Sequence, residues 1–320
     1  MNRRQYLARA GAGVPLAAFA GCLDDLPGGD SSGEGTDRTG ERELDRAAGN
    51  LNDAALALNV EADTIEDPER IEFDPAEPAD SIATARDHLE TAATELGADR
   101  EPDIETLRTY ADVLEALVVV ADTVTDDTLS DDFDSVSAAT GGDSDLEDAS
   151  ATMDDRRAEI DEAKIHYDDA VSEFRSLDDR FKELARIERA DLEGGISTLG
   201  DVLGSFDTLA GGFESILDGY GCLERGHTHV DNGAYDQAEG TFTDAESAFE
   251  AAATLEGDET TPDGLTDYFE TARCQGGHLT DAAAAFADSA AAGDDGDPLV
   301  ANRKRAEGER ELENATECGQ

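Results

Sequence analysis

Cysteine and histidine are the side chains of this sequence with the most specific chemistry, and two pairs of them have helical spacing. The chain contains 4 cysteines and 5 histidines. Cys222 precedes His229 by seven residues and Cys274 precedes His278 by four, so each pair can lie on one face of a helix. Thiolates and imidazoles suit zinc. Because Cys and His also serve as small buried side chains, we expect no metal and no cofactor here.

The cysteines of the second half raise the question of a disulfide. Cys222, Cys274 and Cys318 allow at most one internal bridge. Two helices that turn near Asp295 would place Cys274, 21 residues before the turn, level with Cys318, 23 residues after it, at ~1.5 Å per residue. This register predicts a Cys274–Cys318 disulfide. A Cys222–Cys274 bridge and three reduced cysteines are the alternatives.

The motifs of P-loop nucleotide-binding enzymes and of zinc proteases are missing from the sequence. It has no phosphate-binding P-loop and no H-E-x-x-H. It also has no basic stripe that could displace counterions from phosphates. We therefore predict a protein that is not an enzyme, with no catalytic residues and no nucleic-acid partner.

Apolar residues recur at alternating steps of three and four along most of the chain, which predicts an all-α fold of antiparallel helical hairpins. An N-terminal helical region is expected over residues 42–125. The segment 126–150 is acidic and contains Gly141-Gly142, which predicts a boundary or a long loop. A C-terminal helical region is expected over residues 151–320.

Two apolar stripes open that C-terminal region. One runs from Ile160 to Leu184 and resembles a coiled-coil seam. The other runs from Ile196 to Tyr220, after Gly194-Gly195. The first stripe could pair with another chain or with the second stripe. We expect the second arrangement, an antiparallel hairpin within the chain that turns at the glycine pair between the two stripes.

The next segment, residues 222–255, resembles one tetratricopeptide repeat, in which small residues let two antiparallel helices touch and aromatic rings fill the gaps. It departs from the repeat at Cys222, His229 and Glu250. The resemblance implies a helical hairpin that takes part in protein contacts, and neighbouring helices must complete its core. The residues that carry it are Gly226, Gly233, Tyr235, Ala238, Phe242 and Ala245.

The N-terminus has the features of an export signal. Arg3-Arg4 precedes a short apolar run and resembles the twin-arginine motif, and Phe19-Ala20-Gly21-Cys22 resembles a lipobox. The resemblance implies a signal peptide over residues 1–21 and a lipid on Cys22. The mature protein would then be held on the extracytoplasmic face of the cell membrane, with residues 22–41 as a flexible tether. The alternative is a secreted protein with a chance cysteine.

The charge balance indicates the environment. The chain has 78 acidic and 24 basic side chains, a net charge of −54. This resembles the proteins of salt-loving archaea, whose carboxylate-rich surfaces work where the Debye length is ~3 Å. The sequence thus predicts a lipid-anchored helical scaffold or protein-interaction module of a halophilic archaeon. A solute- or metal-binding lipoprotein associated with a transporter is the alternative, and an enzyme of unrecognised type is a third reading.

Overall fold

The computed structural model describes residues 32–58, 73–126, 128, 132–133, 135–136, 146–257 and 261–319. Over these residues the prediction of an all-α fold is confirmed, because they form helices and no strand. None of these helices is both long and apolar enough to cross a membrane. The helices are α1 (Ser32–Leu58), α2 (Ala76–Glu95), α3 (Glu101–Val124), α4 (Leu146–Ser176), α5 (Arg180–Leu184), α6 (Arg189–Asp231), α7 (Tyr235–Ala253), α8 (Asp263–Asp294) and α9 (Pro298–Thr316).

Helices α1 to α3 form an antiparallel group. Glu43 near the middle of α1 bonds His88 in the second half of α2, with 2.6 Å between Oε2 and Nδ1. Arg86 of α2 pairs with Asp112 of α3 at 2.7 Å. The apolar faces that these pairs bring together are buried from Leu44 to Leu58 on α1 and from Ile104 to Val124 on α3. The three N-terminal helices therefore bury one shared apolar face.

The remaining long helices continue the same up-and-down path. Helix α4 packs against α3 and α6, α7 against α6 and α8, and α9 against α8. Lys164 of α4 pairs with Asp207 of α6 at 2.6 Å. Arg157, seven residues earlier on α4, pairs with both Asp207 and Glu214. The two stripes thus form the antiparallel intramolecular hairpin that the sequence predicts.

The turn of that hairpin differs from the prediction. Gly194 and Gly195 lie inside α6, and the chain reverses earlier, between the end of α4 at Ser176 and the start of α6 at Arg189. The Arg189 guanidinium donates to the carbonyls of Leu177 and Phe174 at 2.7 and 3.0 Å and so caps the end of α4. Glycine tolerates a turn but does not force one, and here the surrounding apolar stripe keeps the helix intact.

Helix α6 is also longer than expected. It extends over 43 residues to Asp231, so the first helix of the hairpin predicted over residues 222–255 is the end of α6 and not a separate element. Gly233, with φ of 70°, makes the turn into α7. The turn between α8 and α9 uses Gly296 in the same way, with φ of 72°.

The predicted flexible tether ends too late. Helix α1 begins at Ser32, so residues 32–41 are helical and not part of a tether. Two contacts explain the difference. Glu41 pairs with Arg100 at 2.6 Å, and buried Gly40 lies so close to Leu96 that a Cβ at this position would clash with it. The glycine that made the segment look flexible is the point where two helices touch.

The acidic segment 126–150 is likewise not a free loop where it is described. Helix α4 begins inside it, at Leu146. Phe133 and Val136 are buried, and the Phe133 ring stacks on Phe213 with centroids 5.2 Å apart. These two apolar residues lie three apart among the surrounding acids, and they connect this segment to the core.

Candidate functional site

An apolar cleft lies where the end of α1, the middle of α3 and the start of α6 meet. Its volume is about 520 Å³, within the size range of small-molecule sites. Asp191 and Thr198 are the two lining residues with polar side chains. The remaining lining residues are Ala55, Leu56, Leu58, Leu114, Leu117, Ile187, Ala190, Leu192, Gly194, Gly195, Ile196 and Leu199.

The glycine pair of α6 helps to keep this cleft open. A Cβ added at Gly194 or at Gly195 would meet no atom within 4 Å. Leu56 lies at the cleft on the α1 side, with 64% of its surface exposed. The cleft does not follow from the sequence, in which the two glycines predict a turn. Their function in the structure is to leave space beside a helix.

Arg156 is the most buried charged side chain among the described residues, with 5% of its surface exposed. Its guanidinium donates to Asp132 from Nε and Nη2 at 3.0 and 2.6 Å, to Asp126 at 2.9 Å and to Glu159 at 2.7 Å. Nη2 also reaches the Thr128 hydroxyl at 2.8 Å. Every guanidinium N–H direction is used to hold the start of the acidic segment against α4.

The electrostatics of this cluster follow from its hydrogen bonds. Burial alone would raise the pKa of Asp126, but hydrogen bonds from Thr128 and Arg156 outweigh it and lower that pKa. Asp122 lacks such donors, so burial and the neighbouring Asp126 carboxylate raise its pKa. Because the guanidinium of Arg156 is fully occupied by three carboxylates and the Thr128 hydroxyl, the cluster is structural: it positions Phe133 in the core.

The C-terminal hairpin brings a second group of reactive side chains together. Cys274 of α8 and Cys318, just after α9, form a disulfide with Sγ atoms 1.96 Å and Cα atoms 5.9 Å apart. His278 lies one turn after Cys274, and its Nδ1 is 2.9 Å from Glu311 of α9. Asn314 donates to the same Glu311 oxygen at 2.9 Å. Hydrogen bonds from Asn314 and His278 lower the pKa of Glu311.

The potential ligand atoms of Cys274, His278 and Cys318 all lie within 4.8 Å of one another. Within the described part of the chain no other group of three Cys, His, Asp or Glu residues converges in this way. The other pair considered from the sequence, Cys222 and His229, is not part of this group. Cys222 has a free thiol whose sulfur accepts from Arg225 at 3.0 Å.

The residues that resemble a tetratricopeptide repeat pack rings against glycines. Gly226 of α6 faces the ring of Phe242 on α7, and Gly219 faces Phe249. His227 lies between Phe242 and Phe286 of α8, with ring centroids 5.2 and 4.8 Å away. Burial, helped by nearby Arg305, lowers the pKa of His227, against smaller opposing contributions from Asp231 and Glu309. This packing joins α6, α7 and α8 through one aromatic cluster.

Comparison with protein families, curated proteins and solved structures finds no match to this chain. Its function must therefore be argued from the chain's own residues. The predicted signal peptide and Cys22 lie outside the described residues, so the export and lipidation motifs stay predictions from the sequence.

Proposed function

We propose that this protein is a non-catalytic, lipid-anchored helical scaffold on the extracytoplasmic face of a halophilic archaeal membrane, and that it binds a protein partner through the apolar cleft. The observation that carries the proposal is the cleft itself, lined almost entirely by apolar side chains and glycines, with Leu56 exposed beside it. Exposed apolar surface of this kind is typical of interaction sites. The net charge of −54 on the chain favours a partner with basic residues beside its apolar anchor.

The position of the cleft supports this reading. Helix α1 starts at Ser32, ten residues after the proposed lipid site, and the cleft is at its other end, beside Leu58. A straight helix of 27 residues is ~40 Å long. The cleft would therefore be held well away from the lipid attachment point, where a soluble or membrane-bound partner can reach it.

The C-terminal stack supports the scaffold part of the proposal. Helices α7, α8 and α9 and the end of α6 pack in chain order, each against its neighbours, as stacked helical repeats do. We propose that the hairpin at residues 222–255 is tetratricopeptide-like and serves as the rigid end of the scaffold.

Partner binding can be tested by photo-crosslinking in native membranes at molar salt, with a photoreactive residue at Thr198 in the cleft wall. Leu56→Glu adds a charge at the cleft, and Gly195→Leu fills open space while raising helix propensity, so both variants should fold. Leu299→Glu is the matched control, because Leu299 is 82% exposed on α9 and remote in sequence.

We expect one crosslinked protein band with the parent chain and with Leu299→Glu, reduced at least tenfold by Leu56→Glu and by Gly195→Leu. Equal crosslinking in all four proteins, or no band in any of them, would contradict binding through the cleft.

Binding of a small apolar solute is the second candidate function, and the volume of about 520 Å³ favours it. Native mass spectrometry of protein purified from its own membranes should then show a bound apolar molecule of constant mass. Gly195→Leu should remove that mass. Its presence together with an absent crosslink would favour a solute-binding lipoprotein over a scaffold.

Attachment through Cys22 has its own test. Cys22→Ser should release the protein into the medium or leave it unprocessed, because two lipid chains are needed for durable attachment and the variant can receive none at this position. A processed Cys22→Ser protein that still sediments with membranes would contradict the anchor. It would not affect the cleft.

A further inference from the structure

We propose that Cys274, His278 and Cys318 form a redox-gated site for a thiophilic divalent metal such as zinc. In the oxidised protein the two sulfurs are joined and the site is closed. In the reduced protein they become two thiolate ligands beside an imidazole. The proposal is independent of the cleft and goes beyond the scaffold function.

The arrangement of ligands is the first argument. Cys274 and His278 are separated by one helical turn on α8, and Cys318 approaches from the end of α9, so three ligands come from two elements. Tetrahedral zinc binds sulfur at ~2.3 Å, which places two sulfurs ~3.8 Å apart. All three potential ligand atoms already lie within 4.8 Å of one another. Only a small separation of the sulfurs is needed after reduction.

The surroundings of His278 are the second argument. Metal-binding histidines usually donate their other ring nitrogen to a carboxylate, which fixes the tautomer and the orientation of the ring. Glu311 stands 2.9 Å from His278 Nδ1, and it is itself held by the Asn314 amide at 2.9 Å. A histidine that only fills space in the packing does not need a carboxylate that is itself held in place by a hydrogen-bond donor.

The accessibility of the bridge is the third argument. Cys274 is exposed whereas Cys318 is buried, so a reductant can attack the Cys274 sulfur. A dithiol supplies two electrons and two protons, closes to its own disulfide and leaves two protein thiols. The metal then displaces both protons from the thiols and binds the thiolates.

The metal would replace the disulfide as a crosslink between α8 and α9. Helix α9 needs one, because its buried surface consists mainly of small residues such as Gly308 and Ala315. Reduction would loosen the hairpin, and metal binding would fasten it again.

The test uses the full chain with Cys22→Ser and Cys222→Ser, so that Cys274 and Cys318 are the only thiols. The protein is kept at molar KCl and is titrated with Co²⁺ and then Zn²⁺, oxidised or after reduction with a phosphine. The phosphine takes oxygen from water to become its oxide, and the disulfide receives the two hydrogens. Thiolate-to-cobalt charge transfer reports sulfur ligation, which the many surface carboxylates cannot imitate.

We expect the reduced protein to bind one Co²⁺ with tetrahedral thiolate bands, zinc to displace it, and the oxidised protein to show no such bands. Glu311→Gln should weaken zinc binding by about 10–100-fold, and His278→Ala by at least as much. His229→Ala is the matched control and should bind like the parent. Circular dichroism at each step shows whether α9 stays folded.

Two results would overturn the proposal. One is the absence of thiolate bands in the reduced protein, whether or not α9 remains helical. The other is cobalt binding that His278→Ala leaves unchanged.

Discussion

The N-terminal and C-terminal regions build the same antiparallel path from different side chains. Helix α3 is buried through aliphatic residues such as Leu107, Val113 and Leu114, each with no exposed surface. In the C-terminal stack, glycines receive aromatic rings, as Gly226 receives Phe242. Helix α3 fills space with branched side chains, and the C-terminal stack removes side chains so that rings can enter.

Two regions of the same topology can therefore respond in opposite ways to a change of side-chain volume in the core. A core of interlocked aliphatic side chains is weakened when volume is lost, since a cavity remains. A core of rings against glycines is weakened when volume is gained, since the ring has nowhere to go. The C-terminal region also has a disulfide, whereas no cysteine lies between residues 42 and 221.

The largest expected effect is a cavity in the N-terminal region. Leu107→Ala should lower the free energy of unfolding by about 2–5 kcal/mol, because this side chain is fully buried. Urea denaturation at molar salt measures the change. Exposed Leu56→Ala is the control and should shift it by less than about 0.5 kcal/mol. A Leu107→Ala protein as stable as the control would show that α3 is not the centre of this core.

The second effect tests the disulfide of the C-terminal region. Cys318→Ser should cost about 3–4 kcal/mol in the chain-entropy model, since the bridge joins residues 44 apart. Cys222→Ser is the control and should change stability little. Non-reducing peptide mapping of the parent should recover a Cys274–Cys318 peptide. A Cys222–Cys274 peptide, or no crosslink, would contradict this pairing.

The third effect tests the ring-and-glycine packing. Gly226→Ala should lower the free energy of unfolding. Its Cβ would come within 3.0 Å of Phe242, and the overpacking cost of about 1–3 kcal/mol should exceed the ~1 kcal/mol gained in helix propensity. Gly277→Ala on α8 is the matched control, because its Cβ meets nothing within 4 Å, and it should stabilise by up to ~1 kcal/mol. If both variants gain stability, Gly226 and the Phe242 ring are not in close contact.

The smallest effect concerns His227. Burial and the nearby Arg305 lower the pKa of its imidazole. The unfolded chain takes up a proton near pH 6.5 that the folded chain accepts only at lower pH. The contribution of neutral His227 to the free energy of unfolding is therefore complete above about pH 6.5, and it is lost as the pH drops below that value. Melting temperatures from about pH 7.5 to 5.5 measure this fall. His227→Phe should show a shallower fall, and an unchanged slope would contradict the assignment.

The sequence predicts much of this fold because helical periodicity is a local property. The apolar stripes locate the helices, and the register around Asp295 places Cys274 level with Cys318, whose Cα atoms lie 5.9 Å apart in the structure. Glycine is the residue whose structural role the sequence predicts least well. Gly40 and Gly194 suggest a tether and a turn, yet one is a helix contact and the other a cleft wall.

The rest depends on contacts between distant segments. Arg156 is one of two adjacent arginines in an acidic sequence, and nothing local tells that it is buried among carboxylates from residues 126–159. Phe133 and Val136 did leave a signal, an apolar pair at helical spacing. The four-residue spacing indicates that His278 can accompany Cys274, but Glu311 reaches His278 only because α9 packs beside α8.

Helix α6 has a consequence for the order of events during synthesis. It contributes Leu192 and Leu199 to the wall opposite α1 and α3, so the N-terminal helices lack one side of their core until it emerges from the ribosome. The 75 residues between Val124 and Leu199 take roughly 4–15 s to make at ~5–20 residues per second. During that interval the nascent chain exposes the part of the aliphatic face of α3 that packs against α6, and a chaperone has time to bind it.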